Sequence, residues 1–222
     1  MKLNVIIPFI HRDYINELLS CIEKNSVQPD KIYLLNNAAN NIPIMTKLSQ
    51  CEHIQTCLPT GIPLSLNASW NYGISRCADD CDLISILNDD LLLEPLFFEK
   101  IIQEATTTPW AGVFCPQTVT DKENLYNPWA KRACFCVPMK RREGWAWTIR
   151  SELAKKIPAI PDELQTWCGD DWYWQQCYKA GFVWVKIMNN FCFHYIGGTV
   201  RKTNARDYKE KEKHLFKEMI VN

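Results

Sequence analysis

The sequence predicts an α/β domain with a central mixed, mostly parallel sheet flanked by helices. Two observations carry this. Through the first hundred residues, short apolar runs alternate with amphipathic helical patterns, as parallel strands joined by crossover helices require. Three of those runs end in polar clusters, "PFIHR", "NNAANN" and "NDD", and open α/β sheets bind ligands beyond the carboxyl ends of their strands.

Each element has a local cause. "LNVII" (3–7), closed by Pro8, reads as a buried strand. Ile15, Leu18, Leu19 and Ile22 recur at helical spacing, and Asp13 is expected to cap that helix. "KIYLL" (31–35) and "IQTCLP" (54–59) read as the second and third strands, and "LNASWNYGISRCA" as a helix. "DLISIL" (82–87) is a fourth strand, after which Pro95 opens the helix "PLFFEKIIQEA". The second half reads as strands "WAGVFCP", "ACFCVPM" and "GWAWTI", the helix 150–157, a loop and helix in "TWCGDDWYWQQCYKAGF", and a strand pair "VWVK" and "FCFHY". Long mixed connections of this kind carry binding residues on a rigid scaffold.

Composition narrows the function. The 222 residues suit a single domain, read in three stretches, 1–95, 96–205 and a C-terminal helix at 205–222, within a chain that could be longer. The 25 Lys and Arg balance the 25 Asp and Glu, so the basic excess of a nucleic-acid or membrane-surface binder is missing. There are 11 cysteines, an odd number, without a CxxC pair. That pattern reads as buried small hydrophobes in a reducing, cytoplasmic setting rather than a zinc framework or a disulfide scaffold. No apolar run is long enough for a transmembrane segment.

The stretch "LISILNDDLLLEP" (83–95) places Asn88, Asp89 and Asp90 between apolar runs. Carboxylates are costly to bury unless they are paired or hold a cation. A polar turn and a cation-binding strand end both fit this stretch taken alone.

In order along the chain, these clusters resemble a GT-A fold glycosyltransferase of family 2. "VIIPFIHRDYINELLSCI" is similar to the family's opening strand, Pro-x-x-x-Arg turn and helix, with His11 before Arg12 where Asn is usual. "KIYLLNNAA" is similar to its second strand, with Asn36 and Asn37 in place of an Asp pair that reads the base, and "SLNASWNYGI" to the helix carrying Asn71 and Gly73. "LISILNDD" resembles the strand ending in Asp-x-Asp, "GDDWYWQQCYKAGF" the motif supplying the catalytic base, and "FCFHYIGG" the late strand whose His approaches the metal or diphosphate.

The resemblance implies a nucleotide-diphosphate sugar donor, a UDP-sugar of the UDP-glucose or UDP-rhamnose type, and a glycan or other hydroxyl acceptor, with Mn²⁺ or Mg²⁺ as cofactor. It implies a metal site at Asp90 and His194. Donor contacts fall to Pro8, His11, Arg12, Asn36, Asn37, Asn67, Asn71, Asn88, Asp89 and Arg201, with Gly197, Gly198 and Lys202 in the same closing loop. Asp171 is expected as the base of an inverting transfer and Asp170 as its helix-capping neighbour. Five tryptophans lie between 144 and 174, and Trp145, Trp147 and Trp172 are expected to form an acceptor wall, the first two on one face of a strand. A non-catalytic nucleotide-sugar binding module and a sugar nucleotidyltransferase are the alternatives. The latter would want a glycine-rich phosphate loop after the first strand, and "PFIHRDY" has no glycine. A metal phosphoesterase would show more Asp and His ligands.

Overall fold

A computed structural model describes residues 1–38, 42–44, 46–56, 62, 64–126, 133–140, 143–195 and 209–221. The parallel half contains β1 (Leu3–Phe9), α1 (Arg12–Glu23), β2 (Lys31–Asn36), β3 (Cys51–Gln55), α2 (Leu66–Cys77) and β4 (Leu83–Leu87). The second half adds β5 (Leu91–Leu93), α3 (Phe97–Thr107), β6 (Ala111–Val119), β7 (Phe135–Pro138), β8 (Ala146–Arg150), α4 (Ser151–Ala154), α5 (Gly169–Lys179), β9 (Val183–His194) and α6 (Lys209–Val221).

Among the described residues the strands form one nine-stranded sheet, in the order β3-β2-β1-β4-β8-β6-β9-β5 with β7 also on β9. β1, β2, β3, β4, β6 and β9 run one way, and β5, β7 and β8 run against them. The antiparallel β8 separates β4 from β6. The sheet is therefore mixed and mostly parallel, with helices on its faces.

Alternation along β1 sorts the core into two layers. Val5, Ile7 and Phe9 join Leu18, Leu19, Phe97 and Phe98 on one side, under α1 and α3. Ile6 joins Trp70, Ile84, Ile86, Trp147 and Trp184 on the other, under α2 and α5. Each such side chain, fully buried, stabilises the fold by about 1.5–3 kcal/mol. At Gly73 a Cβ would stand 2.5 Å from Ile6 Cγ2, so glycine lets α2 lie directly on β1.

Several boundaries differ from expectation. α1 begins at Arg12 with His11 at its N-cap and no side-chain cap; Asp13 sits inside the first turn, where it favours the helix dipole. The third strand is Cys51–Gln55, because parallel pairing with β2 runs from Ile32↔Cys51 to Asn36↔Gln55; residues 57–59 lie outside the described set. The helix expected at 150–157 is a single turn, α4. The expected pair "VWVK" and "FCFHY" is one strand, β9, continuous through Asn189 at φ 66, with its register to β6 shifting between Cys115 and Gln117. The "LLL" after the acidic pair is the short strand β5, antiparallel to β9 with Leu91 opposite His194. No described helix is long and apolar enough to cross a membrane.

Candidate active site at the strand ends

β4 ends on Asn88, whose backbone N–H donates to Trp145 O at 2.9 Å and so ties this strand end to the turn before β8. Asp89, 4% exposed, accepts from the Ile10 N–H at 3.2 Å, which joins β4 to the end of β1. Asp90 is 3% exposed, and the β5–β9 pairing delivers His194 beside it. His194 Nε2 stands 3.2 Å from Asp90 Oδ1. The contact is not a hydrogen bond, so Oδ1 is a buried carboxylate oxygen without a hydrogen-bond donor. Asn88 Oδ1 is likewise buried and unpartnered.

Two orphaned hard oxygens at one strand end fit Mg²⁺ or Mn²⁺, which take oxygen ligands and bind through one or two protein carboxylates plus substrate phosphates. Among the described residues no group of three His, Cys, Asp or Glu could hold a metal by itself; the fit is to a cation shared with a diphosphate.

Trp145 stacks on His194 with ring centroids 5.0 Å apart and planes 16° apart, and its Nε1–H donates to Thr118 Oγ1 at 3.0 Å. Thr118 donates on to Glu143 Oε2 at 3.2 Å, and Glu143 pairs with Lys186. This series of contacts holds Trp145, and through it His194. Sequence reasoning missed Thr118, Glu143 and Lys186. The one signal for them was a lysine inside the apolar run "VWVKIM".

The two acids of α5 differ in surroundings. The helix starts at Gly169 with Cys168 at its N-cap, φ 60, so neither Asp170 nor Asp171 is the cap; both are first-turn acids favoured by the dipole. Asp171 is hydrogen-bonded to the Cys168 thiol, which burial first, and then the charges of Asp171 and Asp170, push up to about 12. Asp170 turns toward β8: a Cβ on Gly144 would lie 2.8 Å from its Cγ and Oδ2. Gly144 precedes Trp145, which stacks on His194 and accepts from the Asn88 N–H, so the turn before β8 connects Asp170 to the residues around Asp90.

Asn36 and Asn37 form a second group beside it. Asn37 N–H donates to Phe9 O at 2.9 Å. Its side chain donates to Ser69 Oγ at 2.7 Å and accepts from Thr56, while Asn36 Nδ2 donates to Gln55 Oε1 at 2.8 Å. Pro8 is buried at the end of β1, His11 is half-buried with its ring 6.1 Å from Tyr14, and Arg12 is exposed on the first turn of α1. Asn67 and Asn71 are used within the protein: Asn67 Nδ2 donates to Leu164 O (2.8 Å) and Trp167 O (3.0 Å). Asn71 exchanges hydrogen bonds with Ile160 (2.8 and 3.0 Å). Both pin the segment ahead of α5.

The tryptophans do not form the expected wall. β8 starts at Ala146, so strand alternation does not reach Trp145, and the two rings part: Trp145 packs against the layer under α1 and α3, Trp147 lies in the layer under α2 and α5. Trp147, 1% exposed, is core, packed on Trp70, Tyr173 and Trp184 at 5.0–5.6 Å. Trp172 is half-buried and donates its Nε1–H to Pro158 O at 3.1 Å. Arg201, Lys202, Gly197 and Gly198 lie outside the described residues.

The family model "Glycosyl transferase family 2" matches residues 4–164. No curated protein matches the chain in sequence. Its fold is similar to a crystal structure of GalNAc-T7 with UDP, GalNAc and Mn²⁺ (TM-score 0.66, 11% identity), over 87% of this chain and 44% of that one. It is also similar to S. aureus TarS (TM-score 0.61, 12% identity, 87% of this chain, 36% of that one). TarS 1–349 in complex with UDP gives TM-score 0.61 and 13% identity, over 87% of this chain and 60% of that one. The chain thus spans from about a third to under two thirds of these three structures.

Proposed function

The chain belongs to glycosyl transferase family 2, and from that premise we propose that it transfers a sugar from a nucleotide-diphosphate donor, of the UDP-glucose or UDP-rhamnose type, to a hydroxyl of a glycan or other acceptor. The reading includes inversion and dependence on Mn²⁺ or Mg²⁺. The observation that carries it is the buried, donor-less Oδ1 of Asp90 beside His194 at the end of β4. Asp90, with Asn88 and His194, would hold the cation. When bound, the cation supplies charge neutralisation to the departing diphosphate. Solved structures of similar fold that carry UDP, one of them with Mn²⁺, support the choice of donor and metal.

Asn36, Asn37, His11 and Arg12 line the donor half at the ends of β1 and β2. Inverting transfer needs a carboxylate at the acceptor hydroxyl. The contacts around α5 favour Asp170 for it over Asp171: Asp170 lies against Gly144 in the turn before β8, whereas Asp171 is hydrogen-bonded to Cys168 at the helix start. The acceptor oxygen bonds to the anomeric carbon, its proton passes to Asp170, and the diphosphate leaves with the bonding pair on the opposite side.

Asp170→Asn keeps the shape and removes the basicity. UDP release from UDP-sugar with acceptor should fall by about 10²–10⁴-fold, the usual worth of a general base, with UDP affinity unchanged. Asp171→Asn should keep most of its turnover. The reverse pattern would move the base to Asp171. Full turnover in both variants would contradict general-base transfer by either acid, and a wild-type protein that binds UDP without any turnover would favour a non-catalytic nucleotide-sugar binding module.

A further inference from the structure

The segment that delivers Asp170 is gripped from two sides, and one grip comes from the far end of the chain. Glu212 of α6 is 2% exposed. Its carboxylate accepts from Trp167 N–H at 2.8 Å and from Thr166 N–H at 3.0 and 3.3 Å. From the opposite side, Asn67 of α2 donates to Trp167 O and Leu164 O, and its own N–H donates to Gln165 O at 2.9 Å. Both polar groups of Trp167's backbone are therefore held, and Lys209 Nζ sits 4.7 Å from the centre of its ring.

The next two residues are tightly fitted. Cys168 is in the left-handed region at φ 60, a conformation held only where its surroundings enforce it. A Cβ on Gly169 would meet Asn67 Oδ1 at 2.2 Å, so α5 starts in contact with α2. Asp170 comes directly after them. A carboxylate withdrawn from water is kept only where donors replace the water, and the donors that Glu212 has found are the backbone amides of this one segment. The family match ends at residue 164, before the first of them.

We propose that Glu212 is a positioning residue: α6 fastens residues 166–167 so that Asp170 is held at the acceptor side of the strand ends. The proposal rests on the transferase reading above. It makes the C-terminal helix a working part of the site, acting on turnover and not on donor binding, since the donor groups lie at the ends of β1, β2 and β4 and at the start of α1.

The test uses the full chain with UDP and Mn²⁺ as probes of the donor site, UDP-sugar turnover, and amide hydrogen exchange at Thr166 and Trp167. Glu212→Ala should speed exchange at both amides and lower kcat by about 10²-fold, the cost of a misplacement near 1 Å, with UDP affinity unchanged. Glu212→Gln keeps a side-chain oxygen for the two N–H groups and should hold kcat within about tenfold of the wild type. Unchanged exchange in the alanine variant would overturn the clamp. Faster exchange with kcat unchanged, or UDP binding lost in step with kcat, would overturn the positioning role. A wild-type protein that binds UDP but never turns over would sink the transferase reading and the catalytic half of this proposal, while the exchange data would still decide the clamp.

Discussion

Replacing Gly144 with alanine perturbs the proposed base without touching a charged group. A Cβ at residue 144 would stand 2.8 Å from Asp170 Cγ and Oδ2 and 3.0 Å from its Cβ. Ordinary contact begins near 3.4 Å, so relieving the clash moves the carboxylate by about 0.6 Å. Because the Asp170 Cβ is also too close, a rotation of the carboxyl group alone does not escape, and the start of α5 must shift with it. Gly144 is not among the positive-φ glycines, so alanine is compatible with its backbone, and the lower entropy of the unfolded chain offsets part of the strain by about 0.4–1 kcal/mol. The melting temperature should therefore change little. Turnover should not be spared: a displacement of this size near the reacting atoms costs about 10- to 100-fold in kcat. The assay is UDP release from UDP-sugar under saturating donor, with UDP affinity measured in parallel. A Gly144→Ala protein that melts normally, binds UDP normally and turns over at the wild-type rate would refute the placement of Asp170 as base.

Burial and thiol chemistry set two more expected outcomes. Trp147→Ala removes the ring at the centre of the Trp70–Tyr173–Trp184 cluster and should cost about 3–5 kcal/mol in urea unfolding; a loss below about 1 kcal/mol would return Trp147 to a surface role. The Cys81 thiol is held below its ordinary value, first by its hydrogen bond with Cys77 and then by Ser151. Burial pushes Cys177 and Cys192 up to about 12 and raises Cys115 well above its ordinary value. Iodoacetamide at about pH 7.5 should label Cys81 first, and mass spectrometry showing equal labelling of Cys115, Cys177 and Cys192 would contradict this packing.

The parallel half was legible in the sequence because its signals are local. The run "LNVII", the 15–18–19–22 spacing and "DLISIL" each report burial within a few residues, and β1, α1 and β4 lie there. The acidic strand end was legible for the same reason, as polar residues interrupting an apolar run. What could not be read depends on distant pairing. His194 reaches Asp90 because β5 pairs with β9 across about 100 residues, and no local pattern encodes that register. Trp145 and Trp147 look alike in sequence, but the strand starts between them at Ala146. Asp170 and Asp171 are adjacent acids whose surroundings differ, Gly144 beside the first and Cys168 beside the second, one far away in the chain and one close by. Glu212 looked like one charge among many in a mixed-charge tail, and only the fold shows that it is buried.

The most direct test of the account is calorimetric titration of UDP into wild-type and Asp90→Ala protein, each with Mn²⁺ and with a chelator. Circular dichroism would check that the variant keeps its fold. The account predicts that Mn²⁺ strengthens UDP binding by the wild type and that Asp90→Ala abolishes this dependence. An Asp90→Ala protein with unchanged Mn²⁺-dependent affinity for UDP would remove Asp90 from the site and contradict the account at its centre.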